Sequence, residues 1–343
     1  MIKIVLDVFG GDNAPEEIVK GAVDALKNND GFNMVLVGKK EEIESLLNKF
    51  EYVGDRVEIV DARDVITNDD VPTEAIRRKK DSSLVASFRT LNSDPDCVAL
   101  ISAGSSGAVL TGGMLLVKRI KGVTRAALAP MLPTVKGGFV TLVDCGANAD
   151  CKPQMLVQFA HFGRAMATAY MGIQNPRIGL LSNGTEDKKG NALNTEAFPL
   201  LKAEKGLNFV GNMEARELLS GDYDVVVADG FSGNIALKGC EGTALAFLTI
   251  LKNAIMEGGL RAKIGYLLLK PVFKVVKKTL DYNEQGGAVL VGLQKIVIKA
   301  HGSSKAKSIS AAIMQAVTLH QKGIIEEVTK ALVVEEKVDN EAI

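Results

Sequence analysis

The sequence predicts a three-layer (α/β/α) protein, in which a doubly wound, mainly parallel sheet lies between helices. Short runs of aliphatic and β-branched residues alternate with longer amphipathic segments, which is the pattern of consecutive βαβ units. Most of these runs end in turns that contain Gly, Asn or Asp. The 343 residues are 47% hydrophobic and include 34 glycines, so residues 1–343 are expected to form one large domain. Two lobes around a shared sheet are the alternative.

Four strand–helix pairs are expected in the first half of the chain. The opening run reaches Asp7, and Pro15 suits the first turn of the next helix because the N–H groups there have no helical partner. The strands are expected at 2–7, 34–37, 57–60 and 98–101, and the helices at 15–27, 41–48, 82–91 and 108–117.

The second half repeats this rhythm around the run 225–227, three valines that Asp229 and Gly230 must terminate. Ser232 and Asn234 are expected to cap the long helix that follows, because their side-chain oxygens accept hydrogen bonds from its first N–H groups. The strands are expected at 139–143, 178–181, 225–227 and 288–299, and the helices at 153–171, 192–204, 235–256 and 305–332.

Composition excludes several classes of protein. The 41 basic and 41 acidic residues cancel, so no overall field favours a nucleic-acid partner. Four cysteines in a chain of this length do not indicate a disulfide framework, and the N-terminus lacks a signal-peptide pattern, so we expect a cytoplasmic protein. No apolar run approaches the roughly 18 residues that are needed to span a bilayer.

Motifs for nucleotides are absent, and metal ligation has little support. Neither a Walker Gly-x-x-x-x-Gly-Lys-Ser/Thr sequence nor a Gly-x-Gly-x-x-Gly run after the first strand is present. The three histidines are scattered, and Cys145 and Cys151 lack zinc-site spacing, so no metal is predicted from them. A Mg²⁺ site stays open as an alternative through the aspartates of the turns, which are Asp7, Asp12, Asp144 and Asp229.

Six polar loops fall at the expected carboxyl edge of the sheet, where open α/β sheets bind ligands. Glycine lets backbone N–H groups approach an anion closely, and Ser and Asn add neutral donors. We therefore expect one phosphate-sized site built from these loops. Its candidate residues are Gly10, Gly11, Asp12, Ser102, Gly104, Ser105, Asp144, Asn148, Lys189, Asn191, Asp229, Gly233, Asn234, His301 and Ser303.

A basic amphipathic segment at 258–282 is expected to form a protruding helical hairpin, bent or split at Pro271. Positive charges beside an apolar face, with no acidic residue in 260–280, favour contact with an anionic membrane surface or with an acidic carrier protein. Packing on the protein's own core or on a twin subunit is the structural alternative. The expected contact residues are Arg261, Lys263, Leu267, Leu268, Lys270, Phe273, Lys274 and Lys277.

Motifs along nearly the whole chain are similar to those of the bacterial phosphate acyltransferases (the PlsX family). They are Asp7 with Gly10-Gly11-Asp12 and Ala14-Pro15; Ser102-Ala103-Gly104; Asp144 with Gly146-Ala147-Asn148; Lys189-Gly190-Asn191; Gly211-Asn212; Asp229-Gly230-Phe231 with Gly233-Asn234; Gly286-Gly287-Ala288; and Ile298-Lys299-Ala300-His301-Gly302-Ser303-Ser304. Each motif is short, but together they are specific. Cys145 stands where the family usually has Val, which argues against a nucleophilic thiol there.

The resemblance implies transfer of a long-chain fatty acyl group from acyl carrier protein to inorganic phosphate, giving acyl phosphate for phospholipid (phosphatidic acid) synthesis. It implies a fold like that of isopropylmalate dehydrogenases and phosphotransacetylases, a homodimer and no cofactor. It also implies that a cytoplasmic protein attaches loosely to the membrane, where a glycerol-3-phosphate acyltransferase uses the product.

For this reaction, Lys189 is expected to hold phosphate, and Asn191 or Asn234 to donate a hydrogen bond to the oxyanion. His301 is expected to orient phosphate or to protonate the departing thiolate. The residues expected to orient these groups are Asp144 and Asp229. Three alternatives remain: a phosphotransacetylase-like enzyme that uses coenzyme A, a metal-dependent 2-hydroxy acid dehydrogenase of the same architecture, and a non-catalytic lipid-binding or scaffold protein.

Overall fold

The structure, a computed structural model, describes residues 1–280 and 286–341; at 275, 277–280 and 333–341 it describes the backbone alone. Strands and helices alternate along the chain as expected. The strands are β1 (Lys3–Asp7), β2 (Asn33–Gly38), β3 (Val57–Asp61), β4 (Cys97–Ser102), β5 (Ala127–Ala129), β6 (Met131–Pro133), β7 (Phe139–Val143), β8 (Arg177–Ser182), β9 (Asn208–Glu214), β10 (Val225–Val227), β11 (Ala288–Val291) and β12 (Ile296–Lys299). The helices are α1 (Glu16–Asn28), α2 (Lys40–Lys49), α3 (Pro72–Arg78), α4 (Ser83–Ser93), α5 (Ser106–Gly112), α6 (Pro153–Met166), α7 (Ala192–Ala203), α8 (Gly230–Glu257), α9 (Gly259–Leu280), α10 (Ala306–Gln321) and α11 (Ile324–Glu341).

The strands lie in two sheets. The order is β3-β2-β1-β4-β12-β11-β5 in the first sheet and β6-β7-β10-β8-β9 in the second. Neighbouring strands are parallel except that β11 is antiparallel to β12 and β5, and β6 is antiparallel to β7. The predicted class, an α/β protein with mainly parallel strands, is confirmed, although the strands are divided between two sheets.

One hydrophobic core joins the two sheets. Its buried residues include Ile4 and Ile101 of the first sheet and Val143, Ile178 and Val225 of the second, all 0% exposed. Removing apolar surface from water stabilises a fold by about 25 cal/mol per Å², so this shared core fixes the sheets relative to each other. The segment 127–133 runs from β5 at an edge of the first sheet to β6 at an edge of the second.

Four predicted elements are interrupted in the structure. The segment 288–299 forms the hairpin of β11 and β12, and 305–332 is divided into α10 and α11. The segment 108–117 is α5 followed by a π-helical turn over Gly113–Val117, and 153–171 is α6 followed by a π-helical turn over Ala167–Met171. Gly323 lies between α10 and α11 with φ of 65°, a left-handed conformation that glycine adopts easily and that ends a helix. Apolar residues recur on both sides of Gly323, so the sequence pattern does not show that the helix ends there.

Four elements were not predicted. β5 and β6 have three residues each, which is too short for an apolar pattern to be recognised, and α3 has seven. β9 lies at an edge of the second sheet and contains Asn208, Gly211 and Asn212, residue types that are depleted in strands. Tertiary pairing with β8 overrides this local preference.

The protruding arm is formed by α8 and α9, which pack against each other and are joined at Gly258. The segment 259–280 is therefore one helix of a hairpin and not a hairpin of its own, and Pro271 lies inside it without dividing it. Residues 281–282 of the predicted arm, and the side chain of Lys277, lie outside what the structure describes.

Both helices of the arm expose apolar side chains. These include Leu245, Phe247 and Ile250 on α8, and Leu260, Leu267 and Leu268 on α9. Within the described part of the chain, α8 alone is long and apolar enough to cross a membrane, a property that the sequence analysis missed. The exposure shows that, among the residues that the structure describes, this surface is not covered by the protein's own core.

Candidate active site

Two cavities adjoin each other at the carboxyl ends of the strands. The first, the apolar cavity, has a volume of about 310 Å³ and lies beyond the ends of β12 and β7. Its apolar walls are formed by Leu110, Leu128, Pro130, Met131, Leu237 and Ala288. Its polar groups belong to Ser106, Gly146, Asn234, Lys238, Glu241, Lys299 and His301. It thus combines an apolar interior with a few polar groups, as small-molecule sites commonly do.

The second, the polar cavity, has a volume of about 390 Å³ and lies beyond the ends of β1 and β4. The loop 65–68, which follows β3, forms one of its sides. Its other lining residues are Phe9, Gly11, Asp12, Ala103, Gly104, Ser105, Ser106, Lys299 and Gly302. Ser106 and Lys299 line both cavities and therefore mark their junction.

Lys299 is a cation at this junction. It ends β12, and its Nζ donates hydrogen bonds to the carbonyl oxygens of Ala103 (3.4 Å) and Ala300. Burial lowers the pKa of Lys299 to about 8, against the attraction of Asp12 and Asp7. The sequence analysis missed this residue as a site candidate. The signal was present, because the lysine directly follows the buried run 296–298 and precedes the loop of His301.

A buried chain of hydrogen bonds supports the polar cavity. Ser102 Oγ donates to Asp7 Oδ2 at 2.6 Å and accepts the N–H of Gly104 at 3.0 Å. Asp7 is buried, and this burial raises its pKa. A Cβ at Gly10 would lie 2.6 Å from both Asp7 Oδ2 and Gly104 N, so the loops can meet only because residue 10 has no side chain. Asp7, Gly10 and Ser102 thus lie behind the wall that Gly104 and Ser105 form.

The first of the predicted loops, at Asp12, is hydrogen-bonded to the last, at Gly302. The Asp12 N–H donates to the Gly302 carbonyl at 2.8 Å. Beside this contact, His301 Nδ1 accepts the Ser303 N–H at 3.2 Å and lies 2.8 Å from Ser303 Oγ. Because Nδ1 is an acceptor, the neutral ring carries its proton on Nε2. Burial lowers the pKa of His301, so the neutral ring is favoured.

Asp144 connects the walls of the apolar cavity. Its carboxylate accepts hydrogen bonds from the N–H groups of Leu128 (2.8 Å), Ala147 (3.2 Å) and Asn148 (2.7 Å), and from Asn148 Nδ2 (2.9 Å). The Asn148 carbonyl in turn accepts the N–H of Gly230 at 2.7 Å. Burial raises the pKa of Asp144, and the accepted hydrogen bonds oppose that rise. Asp144 and Asn148 therefore join the Leu128 wall to the start of α8.

Asp229 caps α8. Its Oδ1 accepts the N–H groups of Phe231 (3.0 Å) and Ser232 (2.8 Å), so the helix begins at Gly230. The expectation of a cap at Ser232 or Asn234 and a start at 235 is wrong, because the aspartate one residue before the turn reaches the free N–H groups first. Asn234 lies within the first turns of the helix and lines the apolar cavity.

Lys189 and Asn191 lie on the loop between β8 and α7. Lys189 is exposed, and Asn191 caps α7 by accepting the Asn194 N–H at 3.0 Å. Neither residue lines either of the two cavities. The sequence-predicted residues that do line them are Gly11, Asp12, Gly104, Ser105, Asn234 and His301.

Within the described residues, no group of three His, Cys, Asp or Glu side chains is placed to hold a metal ion. Three of the aspartates considered for Mg²⁺ are engaged elsewhere, Asp7 by Ser102, Asp144 by backbone amides and Asp229 by the start of α8. The apolar wall and the loop 65–68 were not predicted as parts of a site. Apolar wall residues are indistinguishable in sequence from ordinary core, and the loop carries no motif.

Comparison with known proteins assigns the chain to a family. The family described as fatty acid synthesis protein matches residues 2–327. A phosphate acyltransferase of Clostridium acetobutylicum is 46% identical over 331 residues, which are 96% of this chain and 98% of that relative. A phosphate acyltransferase of Clostridium novyi is 47% identical over 328 residues, which are 95% of this chain and 97% of the relative.

Solved structures share the fold at low sequence identity. A phosphotransacetylase from Streptococcus pyogenes covers 94% of this chain and is itself covered to 94%, with a TM-score of 0.57 and 18% identity. A branched-chain phosphotransacylase from Enterococcus faecalis covers 93% of this chain and is covered to 99%, with a TM-score of 0.53 and 14% identity. The expected likeness to phosphotransacetylases is confirmed for the fold. From its match to the family and its near-full-length relatives, the chain belongs to the phosphate acyltransferase family and is an acyltransferase.

Proposed function

We propose that the chain transfers a long-chain fatty acyl group from acyl carrier protein to inorganic phosphate, giving acyl phosphate for phosphatidic acid synthesis. The observation that carries the proposal is the junction at Lys299, where an apolar and a polar cavity meet. An apolar cavity suits an acyl chain, and a cavity lined by Gly, Ser and Lys suits phosphate. The apolar acyl group and the charged phosphate would then meet beside the Lys299 cation.

In the proposed reaction, a phosphate oxygen attacks the carbonyl carbon of the thioester. The C–S bond then breaks, and the thiol of the carrier's prosthetic group leaves as a thiolate that takes up a proton. Phosphate is already anionic, so it needs positioning more than deprotonation. Lys299 would hold phosphate beside the carbonyl, and Asn234 would donate to the oxyanion as negative charge develops. His301, with its proton on Nε2, would donate to phosphate or to the thiolate.

The direct test is incubation of the purified chain with palmitoyl-acyl carrier protein and labelled phosphate, followed by detection of palmitoyl phosphate. We expect product with the carrier-protein thioester and much less with palmitoyl-coenzyme A. Equal rates with both donors would favour the phosphotransacetylase-like alternative. Titration with NAD tests the dehydrogenase alternative, because a dehydrogenase of that kind must bind NAD. Absence of transfer from either donor would remove the enzymatic proposal and leave the lipid-binding alternative.

Activity should depend on the protonation of Lys299. Burial lowers its pKa to about 8, so the cation is present below this pH and is lost as the pH rises through it. Because kcat/KM reports the free enzyme, kcat/KM for phosphate should fall about fifteenfold between pH 8 and pH 9.5. In Lys299→Arg the guanidinium stays charged, so this fall should disappear whatever the overall rate. The ratio of the two enzymes at each pH cancels the ionisation of phosphate itself. A native profile without the fall would contradict the assignment.

The arm supports a second part of the proposal, contact with an anionic membrane surface by a protein that otherwise stays in the cytoplasm. α9 carries Lys270 and Lys274 beside the exposed Leu267 and Leu268, and has no acidic residue. Arg261, Lys263 and Phe273 complete the described part of this surface. Such contact would place the product near a membrane-bound glycerol-3-phosphate acyltransferase. A homodimer, as the resemblance implies, remains part of the proposal and is tested by analytical ultracentrifugation.

Reversing both charges, Lys270→Glu with Lys274→Glu, should weaken binding to phosphatidylserine vesicles at least about thirtyfold, because each basic residue near anionic lipid contributes about 1 kcal/mol. Co-sedimentation measures the binding. The matched control reverses two exposed lysines of the body, Lys20 and Lys121, and changes the net charge equally. Equal weakening in both variants would mean that overall charge and not the arm controls binding. Binding of the acidic carrier protein, measured in parallel, shows whether the arm serves that partner instead.

A further inference from the structure

One side of the polar cavity is a loop that belongs to no strand or helix. Residues 65–68, which line the cavity, lie between the end of β3 and the start of α3. The other lining residues follow β1, β4 and β12 or end β12. Loops move more than the elements that they join unless hydrogen bonds hold their backbone. The shape of the polar cavity therefore depends on the contacts that hold residues 65–68 in place.

An ion pair fixes this loop. Lys79 Nζ donates hydrogen bonds to the Val65 carbonyl at 3.0 Å and to Asp70 Oδ2 at 2.9 Å. The same carboxylate oxygen accepts the Thr67 N–H at 2.8 Å and the Thr67 hydroxyl at 3.1 Å. The side chains of Lys79 and Asp70 are 30% and 23% exposed, and neither residue lines the polar cavity. The pair therefore holds the loop at two points without being part of the cavity wall.

The helix beside Lys79 also contacts a second wall of the cavity. Pro72 begins α3, and Lys79 directly follows its last residue. A Cβ at Gly107 would lie 2.7 Å from Pro72 Cγ, so the start of α5 packs closely against the start of α3. Ser105 and Ser106, which precede Gly107, line the polar cavity. The ion pair and α3 thus connect the loop 65–68 to the wall at Ser105 and Ser106.

We propose that Lys79 is a positioning residue for phosphate, which acts through Asp70 and the loop 65–68 and touches no substrate. This inference rests on the proposed function. A ligand binds more tightly where the groups around it are already in place, because ordering a loop at the moment of binding costs free energy. Without Lys79, phosphate itself would have to order the loop. The defect is therefore in phosphate binding and not in the chemical step, which the proposed function assigns to other residues.

The test is Lys79→Met, which retains the length of the side chain and removes its charge and its donors. We expect KM for phosphate to rise about tenfold, the effect of losing one hydrogen bond to a charged group, and kcat at saturating phosphate to stay within about twofold. Titration calorimetry with inorganic phosphate alone should show the same rise in Kd. Lys79→Arg retains the charge and the donors, so KM should return to within about threefold of the native value.

The matched control is Lys3→Met. Lys3 has 23% of its side chain exposed, and its Nζ donates to Asp94 at 2.8 Å and to Glu58 at 2.9 Å. It lies at the amino end of β1, whereas the polar cavity lies beyond the carboxyl end. Lys3→Met therefore removes a similar ion pair and should leave KM for phosphate unchanged. An equal rise of KM in both variants would show a general effect of lost ion pairs and would refute the positioning role.

A double variant shows whether Lys79 and Asp70 act through the same loop. Asp70→Asn keeps an oxygen that can accept from Thr67 but removes the charge that pairs with Lys79, so KM for phosphate should rise about threefold. Added to Lys79→Met, it should raise KM no further, because residues that share one contact do not have additive effects. Multiplied effects, or a native KM in Lys79→Met, would overturn the positioning role while leaving the transferase proposal intact. If the native chain neither binds phosphate nor forms acyl phosphate, the proposed function fails and this role fails with it.

Discussion

Replacing Lys299 with methionine should lower the rate of acyl phosphate formation by about a hundredfold, the loss that an enzyme can suffer when a reactant is misplaced by about 1 Å. Lys299 lines both cavities, as Ser106 does, and phosphate and thioester would meet at this junction. Methionine retains the length and apolar stem of lysine but removes the charge. The variant should fold normally, because a half-buried cation with a lowered pKa contributes little to stability.

The matched control is Lys189→Met. Both lysines belong to motifs of the family, Lys299 as the last residue of β12 and Lys189 on the loop after β8, but Lys189 is exposed and lines neither cavity. We expect Lys189→Met to retain at least about a third of the native rate, since surface substitutions away from a site have small effects. A single-turnover assay with excess phosphate separates the chemical step from binding. If Lys189→Met loses activity and Lys299→Met does not, the cation of the site is Lys189, as the sequence alone suggested.

The fold class could be predicted from the sequence because buried parallel strands and amphipathic helices leave patterns that are local. The run 225–227, for example, is a strand, and the Asp-Gly turn ends it as expected. The division into two sheets could not be predicted in this way. It depends on which strands pair, and the crossing segment 127–133 has strands of only three residues.

The candidate site was predicted in part. Turn chemistry identifies loops that can bind anions, and Gly11, Asp12, Gly104 and Ser105 do line the polar cavity. The sequence does not show which polar side chains are engaged in hydrogen bonds that hold the fold together. Asp144 serves backbone amides, as does Asp229, and only the three-dimensional arrangement shows that these carboxylates are occupied. Lys299 was overlooked for the converse reason, because a lysine at the end of a buried strand resembles an ordinary surface residue.

The substitution Gly233→Ala should disable the site by moving a helix and not by removing a functional group. A Cβ at residue 233 would lie 2.0 Å from the Asp144 carbonyl oxygen, a distance at which backbone has to move. Overpacking of this kind costs typically 1–3 kcal/mol, so we expect the free energy of unfolding to fall by about 3 kcal/mol. The start of α8 would shift away from the loop of Asp144, and Asn234, one residue along, would leave its place in the apolar cavity. Acyl phosphate formation should fall at least about tenfold even where the variant is fully folded.

The same helix supplies the control for this prediction. Gly239 has no heavy atom within 4 Å of the position that its Cβ would take, so Gly239→Ala should leave the rate unchanged and stabilise the protein by about 0.5–1 kcal/mol through helix propensity. Urea unfolding measures both stabilities, and the acyl phosphate assay measures both rates. Native stability and activity in Gly233→Ala would show that α8 is not held against the Asp144 loop as described. A loss of activity in both variants would mean that α8 tolerates no added methyl group, and that the contact at residue 233 has no special role. Gly233 lies against the Asp144 loop, whereas Gly239 on the same helix faces open space. The difference between the two variants therefore measures how closely α8 must approach the Asp144 loop for the enzyme to work.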